Sequence, residues 1–224
     1  MPPRPTSIES RASKHAALGD PVRLAIVDDL VGSDRSPAEL RHRFGLESNL
    51  LSHHLDVLED AGLIERSRSS GDGRRRYVHL REAAVELLGG RSGVRPGPAL
   101  FVCTANSARS QLAAALWVSL TGASARSCGT HPAPRIAPGA EAAARRAGLD
   151  LSSRSPRSFD SIGRRPAIVV TVCDRAHEEL DPPADWLHWS IDDPVVTGTP
   201  AAFDRTLDEL RGRILRLTDL AVAS

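Results

Sequence analysis

The feature that most restricts how this chain can fold is the stretch CTANSARS, residues 103–110, which lies between two apolar segments of different kinds. Before it comes a short apolar run, residues 99–102, and after it a helical pattern begins at Gln111. We therefore predict a strand, a tight loop and a helix, in that order. A thiol in such a loop faces backbone N–H groups and the positive end of the helix dipole, which bind oxyanions and favour a thiolate.

The side chains of this stretch are suited to nucleophilic attack on a bound oxyanion. Cys103 is the predicted nucleophile, and the planar guanidinium of Arg109 can hold two oxygens of the anion. Ser110 can donate a hydrogen bond to the sulfur, and Asn106 tolerates the left-handed backbone that a tight loop requires. The predicted oxyanion-binding residues are Thr104, Ala105, Asn106, Ser107, Ala108, Arg109 and Ser110.

The order Cys103, five residues, Arg109, Ser110 resembles the phosphate-binding loop of the low-molecular-weight tyrosine phosphatases and of the arsenate reductases that share their fold. The resemblance implies that Asp193, which precedes a proline, is the general acid. It also implies that Cys173, at the end of a predicted strand, is placed like the resolving cysteine of thioredoxin-coupled arsenate reductases. Cys128 stands where a small residue is usual and is interpreted as structural.

Length and composition limit the class of protein. A chain of 224 residues is long enough for two domains, and 41% hydrophobic with 25% charged residues is typical of a globular protein. The formal net charge of +1 means that any nucleic-acid surface must come from local clustering. There is no apolar run of membrane-spanning length and no signal-peptide pattern at the start, so we expect a cytoplasmic protein without a membrane partner.

The first 90 residues predict several helices followed by a basic hairpin. Helices are expected over 8–18, from Pro21 with Asp20 as N-cap, from the capping box that begins at Ser36, and over 47–60. Strands are expected over 63–68 and 74–80. This is the pattern of a winged helix-turn-helix, and the segments LGDPVRL (18–24), LSHHLDVL (51–58) and AGLI (61–64) resemble the ArsR-type repressors.

That resemblance implies operator DNA as a partner and a homodimer on a two-fold site. The helix over 47–60 would enter the major groove, where the candidates for contact with bases and nearby phosphates are Ser48, Asn49, Ser52 and His53. The candidates for wing contacts to phosphates or the minor groove are Arg66, Arg68, Arg74, Arg75 and Arg76. Because the chain has no cysteine before Cys103, we expect no metal site in this half.

The Gly- and Pro-rich stretch 89–98 is predicted to be a flexible linker between domains over 7–88 and 99–222. Beyond it, strand-like and helical segments alternate, which indicates a small parallel sheet with helices on both faces. The predicted fold class is a mainly α winged helix-turn-helix followed by an α/β domain of low-molecular-weight phosphatase type.

The leading functional hypothesis is a DNA-binding regulator fused to an arsenate reductase. Cys103 would attack arsenate, and either Cys173 or an external thiol, thioredoxin or a low-molecular-weight thiol, would release arsenite; no bound cofactor is expected. The thioredoxin-coupled family carries a third cysteine where this chain has Leu180, so the identity of the electron donor stays open.

The residues after the Asp-Pro bear on the substrate. Val195 and Val196 stand where tyrosine phosphatases carry aromatic residues, which favours a small oxyanion as the substrate. The alternatives are a tyrosine phosphatase joined to a DNA-binding domain and a sensor of oxyanion or arsenite that controls DNA binding without turnover.

Overall fold

The computed structural model describes residues 8–82, 84–85 and 93–218. These residues form two compact units. The first unit contains the described residues up to Arg68 and those between Arg75 and residue 85. The second unit contains the hairpin turn Ser69–Arg74 and the described residues from Gly93 onwards. The sequence also predicts disorder over about the first six residues and a last helix that runs to residue 220. These first residues, residues 89–92 of the predicted linker and the predicted end of the last helix lie outside the described residues.

The first unit contains four helices and an antiparallel hairpin in its described part: α1 (Ile8–Leu18), α2 (Pro21–Gly32), α3 (Pro37–Phe44), α4 (Ser48–Asp60), β1 (Ile64–Arg68) and β2 (Arg76–Leu80). The predicted start signals are confirmed, because Asp20 accepts from the backbone of Arg23 and Ser36 and Glu39 form a reciprocal capping box. The core consists of aliphatic side chains, among them Ile26, Leu30, Leu40, Leu55, Leu58 and Val78.

Two sets of contacts attach the hairpin to the helices of this unit. The backbones of Arg35 and Val78 exchange hydrogen bonds of 2.8 and 3.3 Å. On strand β2, His79 places Nδ1 3.3 Å from the fully buried carboxylate of Asp34 and Nε2 2.6 Å from the hydroxyl of Ser67 on strand β1. The hairpin is therefore fixed to the α2–α3 connection by polar as well as apolar contacts.

The second unit is an α/β domain with a four-stranded parallel sheet in the order β4-β3-β5-β6. Its strands are β3 (Ala99–Cys103), β4 (Ala125–Gly129), β5 (Ile168–Thr171) and β6 (Leu187–His188). The flanking helices are α5 (Arg109–Thr121), α6 (Pro138–Arg146), α7 (Asp174–Leu180), α8 (Pro194–Thr197) and α9 (Pro200–Leu217), with a 3-10 turn at Phe159–Ser161. The predicted alternation and parallel sheet are confirmed.

Three local differences from the sequence-based expectation have simple causes. The sequence pattern predicts a strand over 187–190, but strand β6 is two residues long, and the residues after it lead towards Asp193. The four-residue α8 and the 3-10 turn are too short to give a periodic pattern, so neither can be recognised from the sequence. Among the described residues, no helix is both long enough and apolar enough to cross a lipid bilayer.

Strand β3 determines the position of the predicted loop. All five of its residues are buried, and it lies in the interior of the sheet between β4 and β5. Its last residue is Cys103, so the loop over 103–110 starts at the carboxyl edge of an interior strand. This is the edge at which open parallel sheets bind ligands.

Candidate functional site

The loop directs its carbonyl groups outward. The carbonyls of Cys103, Thr104, Ala105 and Ser107 accept hydrogen bonds from backbone N–H groups in the segment 130–137, at 2.8 to 3.1 Å. The carbonyl of Asn106 accepts from the side chain of Gln111. With these acceptors engaged on the outside, the loop N–H groups are available to the interior, where an oxyanion can bind them.

The sulfur of Cys103 lies where two donors converge. The backbone N–H of Asn106 donates to Sγ at 3.2 Å, and the hydroxyl of Ser110 lies 3.0 Å from it. Asn106 has φ +49, the left-handed conformation expected for this position. The structure thus brings Cys103, Asn106 and Ser110 together, in an arrangement that can stabilise a thiolate.

The side chain of Asn106 holds the loop in this shape. Its Nδ2 donates to Ser110 Oγ at 2.8 Å, and its Oδ1 accepts from the backbone of Arg157 at 2.8 Å. Gln111 adds a donor to the same Oδ1 at 3.1 Å and a second contact to the carbonyl of Ser155. The left-handed turn is therefore supported by side-chain contacts on both sides of the loop.

Gly129, the last residue of β4, lies directly beneath the loop. It is paired with Cys103 in the sheet, and a Cβ at this position would come within 2.4 Å of the Thr104 carbonyl oxygen and 2.9 Å of the Asn106 nitrogen. No side chain fits in that space. The sequence pattern gives no sign of this role for Gly129, because the close approach exists only after β4 pairs with β3.

Arg109 is buried and is directed towards Asp193. Its Nη1 donates to the carbonyl of Ile191 at 2.9 Å, and its Nη2 donates to Asp193 Oδ2 at 2.7 Å. Asp193 caps α8 through the backbone N–H of Val195, whereas Asp192 is exposed. Of the two adjacent carboxylates, Asp193 is therefore the one paired with Arg109 of the loop.

The thiol of Cys173 lies beside the loop. Its sulfur is 3.4 Å from the hydroxyl of Thr104, and only 1% of the residue is exposed. Burial and the nearby Cys103 raise the pKa of the Cys173 thiol to about 11. A second thiol thus adjoins the nucleophile's loop, held in its protonated form near neutral pH.

Cys128 differs from the other two cysteines. It is fully buried in the core of the second unit, and burial raises its pKa to about 12. A protonated thiol enclosed by apolar side chains is chemically inert. The structural role of Cys128 stays a prediction, and these properties support it.

An open cleft in front of the loop gives access to these groups. Its lining includes Thr104, Arg109, Cys173, Asp193 and Val196. Val196 is 86% exposed and Val195 is 45% exposed. The side chains that follow the Asp-Pro are thus small and aliphatic, and neither can stack on a phenyl ring.

The DNA-reading candidates lie on one exposed stretch of α4. Ser48, Asn49, Ser52 and His53 are all exposed, whereas the neighbouring His54 is 6% exposed and packs inward. Arg41, on α3, donates to the Ser48 hydroxyl at 3.0 Å and was not singled out from the sequence. An exposed Arg41 beside the start of α4 is a further candidate for a phosphate contact.

The five wing arginines are not equivalent. Arg68, Arg74, Arg75 and Arg76 are exposed. Arg66 instead forms ion pairs with Asp56 and Glu59 on α4, and these contacts raise the pKa of its guanidinium and lower the pKa of Glu59. Arg66 therefore joins the hairpin to α4, a position that the sequence pattern did not distinguish from its neighbours.

Comparison with known families gives one match to each half of the chain. The family described as low molecular weight phosphotyrosine protein phosphatase matches residues 99–222, and a helix-turn-helix domain matches residues 18–67. The first match covers more than half of the chain and includes Cys103, Arg109, Cys173 and Asp193.

Individual relatives match the second half. An arsenate reductase of Staphylococcus epidermidis is 32% identical over 120 residues, which is 51% of this chain and 90% of that protein. An arsenate reductase of Bacillus cereus is 31% identical over 126 residues, 54% of this chain and 92% of that protein. A crystal structure of arsenate reductase from Archaeoglobus fulgidus covers 52% of this chain and 94% of that chain, with 26% identity and a TM-score of 0.43.

Proposed function

Because the chain belongs to the low molecular weight phosphotyrosine protein phosphatase family and carries a helix-turn-helix domain before it, we propose that it is a DNA-binding regulator fused to a thiol-dependent arsenate reductase. The observation that carries the reductase assignment is the second buried thiol, Cys173, 3.4 Å from the hydroxyl of the loop residue Thr104. A phosphatase needs one cysteine, whereas reduction of arsenate by thiols needs two.

In the first step, the Cys103 thiolate attacks arsenic. The oxyanion is held by the inward loop N–H groups and by Arg109, and protonated Asp193 donates its proton to the departing oxygen, which leaves as water. A sulfur–arsenic bond forms as an arsenic–oxygen bond breaks. Binding of the anion to Arg109 takes the place of the present Arg109–Asp193 pair, which leaves Asp193 near the leaving oxygen.

In the second step, the Cys173 thiolate attacks the sulfur of Cys103. A disulfide forms, the sulfur–arsenic bond breaks, and its electron pair stays on arsenic, which leaves as arsenite. The two thiols supply both electrons. Since the pKa of Cys173 is raised to about 11, this thiol loses its proton during the step, and the proton passes to an oxygen of the departing arsenite. The sulfur of arsenylated Cys103 is no longer a thiolate, which removes one cause of that raised pKa.

We propose that an external thiol, thioredoxin or a low-molecular-weight thiol, then reduces the disulfide. Leu180 occupies the position at which a third cysteine would accept the disulfide in thioredoxin-coupled enzymes. The Cys103–Cys173 bond is therefore the one that the donor attacks. The small side chains of Val195 and Val196 support an inorganic oxyanion rather than a phosphotyrosine as substrate.

Replacing Cys173 by serine is expected to separate two activities. Single-turnover arsenite release from reduced Cys173→Ser protein without added thiol should fall about 100-fold or more, because the resolving nucleophile is lost with its high effective concentration. Hydrolysis of an aryl phosphate, however slow, should change less than twofold, because it needs only Cys103, Arg109 and Asp193. The measurement is arsenite release beside aryl-phosphate hydrolysis, for wild type and variant.

The remaining outcomes of the Cys173→Ser comparison would each indicate a different function. Undiminished release that requires added thiol would favour attack by an external thiol on arsenylated Cys103. Brisk aryl-phosphate hydrolysis without arsenite release would indicate a phosphatase. If neither activity were present and arsenate or arsenite changed operator affinity, the second half would be a sensor without turnover.

For the first half, we propose operator binding by a homodimer in the cytoplasm. Support comes from the exposed face of α4, with Ser48, Asn49, Ser52 and His53, and from the exposed arginines of the hairpin. Winged helix-turn-helix proteins of this type place such a helix in the major groove of each half-site. The hydroxyl, amide and imidazole groups on α4 can donate to or accept from base edges.

Neutralising single wing arginines should change the salt dependence of DNA binding. For Arg75→Ala, the slope of log K against log salt should fall by about 0.9, as expected for loss of one phosphate contact. Arg66→Ala should instead leave the slope nearly unchanged and lower the thermal stability, because Arg66 is paired with Asp56 and Glu59. A titration of operator DNA at several salt concentrations tests both variants. A larger loss of slope for Arg66→Ala than for Arg75→Ala would contradict this distinction.

A further inference from the structure

A buried polar cluster surrounds the peptide that carries Cys173, and neither proposed step uses it. Its members are Thr171 on β5, Asp174 and His177 on α7, and His188 on β6, all at most 8% exposed. The Nε2 of His188 lies 3.1 Å from Asp174 Oδ1, and its Nδ1 lies 2.9 Å from Thr171 Oγ1. The hydroxyl of Thr171 also lies 2.9 Å from His177 Nδ1, and the two imidazole rings are stacked at 4.1 Å.

The cluster is a connected network rather than a set of separate pairs. Thr171 has one hydroxyl proton and contacts two ring nitrogens, so at least one ring must donate to it. Burial alone would raise the pKa of Asp174, but hydrogen bonds from His188, Ser190 and the backbone N–H of Ser70, together with the nearby charge of His188, outweigh burial and lower it to about 2. The Asp174 carboxylate is therefore charged at neutral pH, which makes its contact with His188 strong and directional.

The geometry places Cys173 between two residues that are bonded to the same imidazole. Thr171 is two positions before Cys173 and Asp174 is one position after it, and both contact His188. Thr171 is fixed in the sheet, whereas Asp174 begins α7 immediately after the cysteine, which is its N-cap. His188 thus fixes the backbone on both sides of the thiol.

The backbone around Cys173 must be held in place because pairing in the sheet does not by itself direct the Cys173 thiol towards the Cys103 sulfur. Val172 donates its N–H to the carbonyl of Val102, which continues the parallel register of β3 and β5. In this register Cys103 lies opposite Val172, and Cys173 lies opposite Thr104. Side chains alternate along a strand, so a one-residue offset directs the two thiols differently. A disulfide requires close Cβ atoms, and hence requires the backbone beyond the end of β5 to be held in a particular conformation.

We propose that His188, acting through Asp174 and Thr171, is a positioning residue that holds Cys173 for attack on the sulfur of Cys103. This inference rests on the proposed two-cysteine reductase, and it names the group that sets the rate of its second step. The contacts of His188 described above are to Thr171, Asp174 and His177, and none of these residues belongs to the oxyanion-binding loop. We therefore expect His188 to affect only the reaction between the two thiols. Reactions that need Cys103 but not Cys173 should not depend on it.

The test uses the full chain and 5,5'-dithiobis(2-nitrobenzoate), which reports the two thiols in separate phases. The Cys103 thiolate attacks the reagent's disulfide and releases one aryl thiolate; Cys173 then attacks the Cys103 sulfur and releases the second, leaving a Cys103–Cys173 disulfide. Asp174→Ala removes the contact between Asp174 and His188 while keeping the buried imidazole of His188. Asp174→Asn keeps an acceptor oxygen, and Glu179→Ala removes a carboxylate from the same helix outside the cluster.

We expect the second phase to slow at least tenfold in Asp174→Ala, less than threefold in Asp174→Asn and less than twofold in Glu179→Ala. The first phase and the kcat and KM for an aryl phosphate should change less than twofold in all three. A wild-type second phase in Asp174→Ala would overturn the inference. So would a parallel loss of the first phase, which indicates general damage, or the absence of a Cys103–Cys173 disulfide in wild type by mass spectrometry.

The same experiment separates this inference from the proposed function. If wild type forms the disulfide and Asp174→Ala slows it, but arsenate yields no arsenite, the positioning role of the cluster is supported while the arsenate assignment fails. If arsenite is released and the disulfide forms equally fast in both proteins, the reductase assignment is supported while the positioning role fails.

Discussion

Replacement of Cys103 by serine is expected to abolish both arsenate reduction and any aryl-phosphate hydrolysis, with a loss of at least about 10⁴-fold, the scale seen when a catalytic nucleophile is removed. A serine hydroxyl at the same position stays protonated at neutral pH and attacks poorly without a base. The donors from Asn106 and Ser110 converge on this single atom, and they stabilise a negative sulfur. Steady-state rates with both substrates measure the effect.

The matched control for this variant is Cys128→Ala. Cys128 is also buried, but its thiol is enclosed in the core and its pKa is raised to about 12. Removing that sulfur should lower the stability of the second unit modestly and leave both activities within a fewfold of wild type. Activity retained in Cys103→Ser, or lost equally in Cys128→Ala, would show that the nucleophile has been assigned incorrectly.

Gly129→Ala is expected to lower kcat/KM by about 100-fold or more, because a displacement of about 1 Å at a reacting group can cost that much. The added Cβ would lie 2.4 Å from the Thr104 carbonyl oxygen and 2.9 Å from the Asn106 nitrogen, both backbone atoms that cannot rotate away. The loop must shift, and the Asn106 N–H then leaves the Cys103 sulfur. The affinity for phosphate as a competitive inhibitor should fall together with the rate.

Gly163→Ala provides the comparison for this second variant. Gly163 is exposed, and a Cβ there meets no atom within 4 Å, so both activity and oxyanion affinity should stay close to wild type. Circular dichroism on both proteins distinguishes a displaced loop from a domain that has unfolded. Wild-type oxyanion affinity in Gly129→Ala would mean that the loop is not seated on β4 as the structure has it.

The two variants address different requirements of the same site. Cys103→Ser removes the reacting atom and leaves the binding loop in place, so phosphate should still bind. Gly129→Ala leaves the sulfur in place and removes the loop geometry, so both binding and turnover should suffer. Measuring phosphate inhibition or binding beside the rates therefore separates nucleophilic chemistry from oxyanion recognition.

The sequence determined the features that depend on short stretches of chain. The strand, loop and helix around Cys103, the caps at Asp20 and Ser36, the hairpin and the alternating second half all follow from local periodicity and from residues with strong backbone preferences, and the structure confirms them. The order Cys103, Arg109, Ser110 is likewise local, because all three residues belong to the single connection between β3 and the first turn of α5.

Which distant residues meet depends instead on how the elements pack in three dimensions. The approach of Gly129 to the loop, the pairing of Asp193 rather than exposed Asp192 with Arg109, and the engagement of Arg66 by α4 depend on how strands and helices pack. The His188 network around Cys173 is of the same kind, since it joins β5, α7 and β6. Such contacts are made between segments far apart in the chain, and local periodicity carries no information about which of several similar side chains a fold will bring together.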